Sequence, residues 1–189
     1  MELRKISLTH FLVEVFSVVF AVLLALGVNE WREADNNKDL ASEAFGKVVQ
    51  EIKSNKSMID DILLNHKNII AEIDTVIVKL KRKSDIVGFG DIQFETPSRT
   101  AWDAAVLTTA VNYLDYDKVE KITSVYSTQR VYSDISDKVF QELVFFVPDK
   151  NREEMIKQFT KQKVYVYNLI SIEEQLLDTY SKFLSETDK

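Results

Sequence analysis

Cysteine is absent from this chain, histidine occurs twice, proline twice and glycine four times, and each shortage removes a class of answer. Without cysteine there is no disulfide framework, no thiol nucleophile and no thiolate metal site. The two histidines, His10 and His66, are too few and too far apart for a histidine metal cluster or a nucleophile triad. So little glycine and proline disfavours short strands joined by tight turns and favours long helices. No glycine-rich phosphate loop occurs. Cations are also in deficit: 24 lysines and arginines face 30 aspartates and glutamates, a formal charge of -6. That sign argues against nucleic acid as a partner. The acidic pairs Asp60-Asp61, Glu153-Glu154 and Glu173-Glu174 lack the Glu-x-x-His pattern of di-iron bundles and read as solvated helix faces, Glu173 excepted. No catalytic residue, cofactor-binding residue or metal ligand is assigned, no cofactor is expected, and an enzyme is the reading least favoured.

What the chain does have is an apolar run from Phe11 to Val28 whose polar members are Glu14 and Ser17. As a helix it would be ~27 Å long, close to the hydrocarbon thickness of a bilayer. Two other readings compete. A cleaved signal peptide would use Arg4 and Lys5 as its basic head and Ala25-Leu26-Gly27 as its cleavage site, but signal cores are typically ~7 to 15 residues. A buried core helix is disfavoured by the length of the run. Trp31, just past the run, suits a membrane-water boundary. The expected organisation is therefore a short cytoplasmic tail (1–10), a transmembrane helix (11–29) and one soluble domain (30–189). Arg4, Lys5 and the amino terminus lie on one side of the run and Arg32, Lys38 and Lys47 on the other; the positive charge near the run is read as favouring the N-terminal side, so the N-terminus is placed in the cytoplasm and the domain outside it.

The domain reads as all-α. From Asp39 to Lys83 an apolar seam keeps steps of three and four through Phe45, Val48, Ile52, Asn55, Ile59, Ile62, His66, Ile69, Ile73, Val76 and Leu80, the heptad spacing of packed helices. Val49, Leu63, Ile70 and Ile77 widen it to the breadth of a bundle helix. This helix is read as continuing from the membrane helix, with a kink expected at Asp35-Asn36-Asn37. The segment 84–96 holds two of the four glycines; Ile86–Phe89 could pair with Ile92–Phe94 as a short hairpin, or the segment could be an irregular connection. A second helix is expected to start at Thr96-Pro97, capped by threonine with proline in the first turn, and to end near Leu114. A third, capped by Asp115 or Asp117, directs Val119, Ile122, Tyr126, Tyr132, Ile135, Val139, Leu143 and Phe146 inward and stops at Pro148. The last opens at Asp149 or Asn151, with a seam of Met155, Phe159, Gln162, Val166, Leu169, Glu173, Leu176, Tyr180 and Phe183, widened by Ile156, Ile170, Leu177 and Leu184. The expected fold is an elongated antiparallel bundle of three or four helices in which short connections make successive helices neighbours.

Several polar residues stand out. His66, on the seam, reads as a paired residue inside the bundle. Glu173 is turned inward by its register, and Lys163 is its expected companion in a local polar layer. The cluster Lys79, Lys81, Arg82 and Lys83 matches the cation preference of a helix C-terminus. Trp102, among Ala101, Ala104 and Ala105, is either a core anchor or the wall of a ligand pocket. In the membrane helix, His10, Glu14, Ser17, Ala21, Ala25 and Asn29 share one face. A small and polar stripe in lipid permits close helix approach and shields a carboxylate; the alternative is that Glu14 only snorkels to the interface.

The motif Val28-Asn29-Glu30-Trp31, with Thr100-Ala101-Trp102 and Tyr113-Leu114-Asp115-Tyr116 much later, resembles a group of bacterial single-pass membrane proteins of unknown function. That group typically reads Ile-Ala-Leu-Gln-Val-Asn-Asn-Trp-Asn-Glu at the first site and Thr-Ala-Trp-Glu at the second, and this chain departs from it at Gly27 and Glu30. The resemblance implies membrane anchoring in a bacterium and brings no activity or catalytic residue. The function expected is a membrane-anchored, non-catalytic interaction or assembly module whose partners are the lipid bilayer and either further copies of itself or another membrane protein. An accessory or effector subunit of a membrane complex is the first alternative. A ligand-sensing bundle is the second, though a tail of about ten residues is too short to carry an output domain.

Overall fold

The computed structural model describes residues 8–84, 90–145, 147 and 151–187. Its first element, α1 (Leu8–Lys81), is a single helix of 74 residues, about 110 Å long at 1.5 Å per residue. It passes through Asp35-Asn36-Asn37 without interruption, so the expected kink is not there. Asn and Asp disfavour helix only by a fraction of a kcal/mol each, too little to break a helix continued on both sides. From Phe11 to Asn36 every side chain is exposed, and the apolar window carries a mean hydropathy of 2.7 with none of it buried inside the protein. A buried core helix is thereby excluded, and α1 contains a segment long and apolar enough to cross a membrane. Burial begins at Ala41, leaving residues 30–40 as a helical, mostly exposed stalk between the apolar segment and the bundle.

Within the bundle the heptad seam of α1 is buried at every step from Val48 to Leu80, with Phe45 half-buried at its start. α1 ends two residues before the expected Lys83, because Lys83 turns left-handed (φ 58°) and the Ser84 N–H reaches back to the Lys79 carbonyl at 3.0 Å. This terminating motif satisfies a carbonyl that the helix can no longer pair.

α2 (Thr100–Leu107), a one-turn 3-10 helix (Ala110–Tyr113), α3 (Tyr116–Val144) and α4 (Arg152–Thr187) complete the described chain. Asp115 takes the N-cap position of α3 without a side-chain cap hydrogen bond, and Asp117 lies in the first turn. Asn151 opens α4, its Oδ1 accepting the Glu153 N–H at 2.9 Å, and Glu153 and Glu154 place negative charge in the first turn, where the helix dipole favours it. Pro148 and Phe146, expected at the end of α3, lie outside the described residues, as does the first arm of the possible 86–94 hairpin; no strand occurs among the described residues.

α4 runs antiparallel to both α1 and α3. Ion pairs fix the register: Asp74 with Lys163 and Lys67 with Glu174 on the α1 side, Glu142 with Lys161 and Lys121 with Glu186 on the α3 side. α1 and α3 are therefore parallel. Successive helices are neighbours, as expected, for α1 with α2 and for α3 with α4, and α4 also packs along the length of α1. Its seam is buried from Phe159 through Gln162, Val166, Leu169, Glu173, Leu176 and Tyr180 to Phe183. Each aliphatic side chain buried along these seams contributes roughly 1.5 to 3 kcal/mol.

Two parallel helices need a long return. Residues 90–99 supply it as an extended strap that runs back toward the stalk between α1 and α3. The strap also corrects the expected helix start at Thr96-Pro97 and its end near Leu114: α2 begins at Thr100 and ends at Leu107. Arg99, at the N-cap position, makes no side-chain cap. The cap comes instead from α1, where Glu51 Oε2 accepts the Ala101 N–H at 2.9 Å. A distant carboxylate thus sets where this helix starts.

Candidate functional site

The strap is held by side chains of α1 and α3, which Tyr180 and Glu173 of α4 hydrogen-bond from behind, arranged in two polar layers beside an otherwise apolar core. In the layer nearer the stalk, Asn55 of α1 accepts the Ser98 N–H at 2.9 Å and donates to the Ser98 carbonyl at 2.7 Å. Gln129 of α3 donates to the carbonyls of Pro97 and Ser98, both at 3.0 Å. Its Oε1 accepts from Tyr180 of α4 at 2.9 Å. Glu51 accepts from the Ser98 hydroxyl at 2.6 Å and from the Tyr126 hydroxyl. These contacts give the inward-facing backbone groups of a largely exposed strap the partners that a sheet or helix would otherwise supply. Burial and the neighbouring Glu51 carboxylate hold the Tyr126 hydroxyl well above the usual tyrosine range; burial does the same to Tyr180.

The second layer centres on His66 and Glu173, both fully buried. His66 Nδ1 lies 2.7 Å from Glu173 Oε1, and its Nε2 lies 2.9 Å from the Gln93 carbonyl of the strap. Asn65 brackets the same strap residue, accepting the Gln93 N–H at 3.1 Å and donating to the Asp91 carbonyl at 3.2 Å. Tyr132 donates to the Glu95 carbonyl at 3.2 Å. Phe94 of the strap packs between His66 and Phe140, with ring centres 5.7 and 5.3 Å away. Burial pushes the Glu173 carboxyl above its ordinary range, partly offset by His66. Glu173 Oε2 has no hydrogen-bond partner among the described residues.

His66 is thus the paired polar bundle residue that its seam position indicates, and Glu173 is inward-facing as its register indicates. The expected companion of Glu173 is corrected: Lys163 reaches Asp74 Oδ2 at 2.6 Å instead, because the antiparallel register puts its long stem on the rim between α1 and α4. Gln129 was missed by reading only apolar positions in α3. The gap between Tyr126 and Tyr132 in that stripe is the signal that locates it, and Val125 and Ser136 are buried on the same helix.

Of the residues singled out in and beside the apolar segment, Glu14, Ser17, Ala21, Ala25 and Asn29 lie exposed along one face of uninterrupted α1. The Ser17 hydroxyl donates to the Val13 carbonyl one turn back at 2.8 Å. The His10 side chain is outside the described residues. Phe16 and Phe20 stack away from this face, with ring centres 6.3 Å apart. Trp31 is 74% exposed at the foot of the stalk. Trp102 is only 6% exposed and stacks on Tyr126 with centres 6.0 Å apart, which makes it a core anchor whose edge borders a surface groove. Lys79 and Lys81 occupy the last turn of α1, where the dipole favours cations.

Among the described residues no group of three or more histidines, aspartates or glutamates is placed to hold a metal ion. No family model matches the chain, and neither a curated protein nor a solved structure matches it. The arrangement itself can do two things: hold a return strap rigidly within a bundle, and present an unpartnered apolar helix carrying one polar face.

Proposed function

We propose that this protein is a single-pass protein of a bacterial inner membrane, with its N-terminus in the cytoplasm and its bundle in the periplasm, that acts as a non-enzymatic interaction and assembly module. The observation that carries the reading is the continuity of α1 from its fully exposed apolar segment into the buried seam of the bundle. A helix with no break makes the membrane segment and the bundle one mechanical piece. Association between membrane helices would then fix the spacing and rotation of the bundles they carry. The face through His10, Glu14, Ser17, Ala21, Ala25 and Asn29 supplies the association surface, since small residues allow close backbone approach where lipid gives no hydrophobic drive.

The test is the mass of the full-length protein in mild detergent, by light scattering and crosslinking. Ala21→Leu combined with Ala25→Leu should reduce the mass of the complex, whereas Val15→Leu with Val19→Leu, away from that face, should not. Equal association of both variants would show that the membrane helix is only a tether. Glu14 is exposed and makes no hydrogen bond or ion pair among the described residues, and this favours a second reading in which the protein is an accessory or effector subunit whose carboxylate meets a partner's helices. A heteromeric mass from the native membrane, lost on Glu14→Gln, would select that reading over self-association. For topology, protease added to intact spheroplasts should digest the bundle and leave the N-terminus attached to the membrane fraction. A bundle protected until lysis would reverse the orientation.

A further inference from the structure

A groove of about 420 Å³ opens on the outer surface where the strap and α2 meet α3. That volume is within the range of small-molecule sites, roughly 300 to 1,000 Å³. Its base is the stacked pair Trp102 and Tyr126, and its walls carry two guanidiniums, Arg99 before α2 and Arg130 on α3. The Arg99 guanidinium stands 5.9 Å over the Tyr126 ring. Asp103 pairs with it through Nε at 3.0 Å.

The side of the groove formed by α3 is unusual for what it leaves unspent. Elsewhere on this helix Thr128 and Ser133 donate their hydroxyls to carbonyls one turn back, both at 3.2 Å. Thr123 and Ser127, which line the groove, make no hydrogen bond among the described residues, and Arg130 makes neither hydrogen bond nor ion pair there. Positions 123, 127 and 130 fall on one helical face, so two hydroxyls and a guanidinium are aligned on the same opening. Asp134, one turn beyond Arg130 at the far rim, does not pair with it and disfavours a second negative charge at that end. In a chain of net charge -6, this is a local concentration of donors over an aromatic base.

We propose that this groove binds a small molecule bearing one carboxylate or phosphate group, held between Arg99 and Arg130 with Ser127 as a further donor. A guanidinium pairs with either oxyanion through two parallel N–H bonds, and the Trp102 edge offers an apolar surface to the rest of the ligand. The site is independent of how the membrane helix associates, so it stands or falls separately from the assembly reading.

Tryptophan fluorescence of the full chain in detergent tests it. The chain has two tryptophans, so Trp31→Phe leaves Trp102 as the sole reporter, beside the groove. The probes are inorganic phosphate and benzoate in separate titrations, with sodium chloride at matched ionic strength as the reference. A saturable change in Trp102 emission is expected with at least one of them, and which one responds tells phosphate from carboxylate. Arg130→Ala, at an exposed position, should leave the thermal melt unchanged and weaken binding roughly tenfold, while Lys79→Ala, at the far end of α1, should leave binding unchanged. A response to both probes no different from that to chloride would overturn the proposal, and so would a saturable response that Arg130→Ala leaves intact.

Discussion

Both ring nitrogens of His66 face acceptors, Glu173 Oε1 at 2.7 Å and the Gln93 carbonyl at 2.9 Å. Both contacts are hydrogen bonds only if the pair holds a proton between its members. Either the carboxyl is protonated and donates to Nδ1, or both ring nitrogens carry hydrogen and Glu173 is ionised. Removing that proton leaves one ring lone pair facing an acceptor, either the carboxylate at Nδ1 or the strap carbonyl at Nε2, between two fully buried side chains. Consistently, burial raises the Glu173 carboxyl above its ordinary 4.5. A raised acid binds its proton more tightly in the folded state. Its stabilising contribution is therefore complete below about 4.5 and is lost as pH climbs through the elevated folded value, with a limiting slope of about 1.4 kcal/mol per pH unit. Glu173→Gln separates charge from hydrogen bonding. The amide can donate to Nδ1 while Nε2–H keeps the strap carbonyl, so no titrating proton is needed. We expect this variant to be as stable as the parent at pH 7 or more so, and to lose the parent's decline with pH. Glu173→Ala should cost about 3 to 5 kcal/mol, because it leaves a buried partner unpaired. The assay is urea unfolding of the full chain in detergent, followed by helical circular dichroism across pH 4 to 9. Parallel pH profiles for parent and Glu173→Gln, or equal losses for glutamine and alanine, would refute the shared-proton argument.

Ile69 and Leu176 are buried seam residues on α1 and α4, so cutting either to alanine should cost about 2 to 5 kcal/mol in the same unfolding assay, whereas Lys79→Ala should change little. Gln129→Ala removes the donor to two strap carbonyls and the acceptor for Tyr180; amide exchange should then accelerate in residues 93–99 well before it does in the α1 seam. Glu51→Gln weakens the charge at the start of α2, and the expected loss is about 0.5 to 2 kcal/mol, with fraying of α2 detected by the same exchange measurement.

The long helices and their buried faces were legible from residue spacing. The steps of three and four in α1 and α4 each turned inward, including the polar members Asn55, His66, Gln162 and Glu173, since helical periodicity places a side chain on a face whatever its chemistry. The stalk was misjudged at Asp35-Asn36-Asn37 because local propensity is weak against helix on both sides. The second helix was misjudged because Thr96-Pro97 has every local mark of a helix start.

By itself, then, the sequence determined the apolar segment, the helical class and which side of each long helix is buried, since these depend on the order of side chains along one helix. Tertiary structure decided the rest. It chose α4 as the partner of α1, stretched residues 90–99 into a strap and moved the start of α2 to Thr100. It joined His66 to Glu173 across 107 positions of chain. The physical reason is common to all four. The strap's inward-facing backbone groups find partners only where Asn55, Asn65, His66, Gln129 and Tyr132 supply them, and those side chains converge only after α1 and α3 have been brought together on α4.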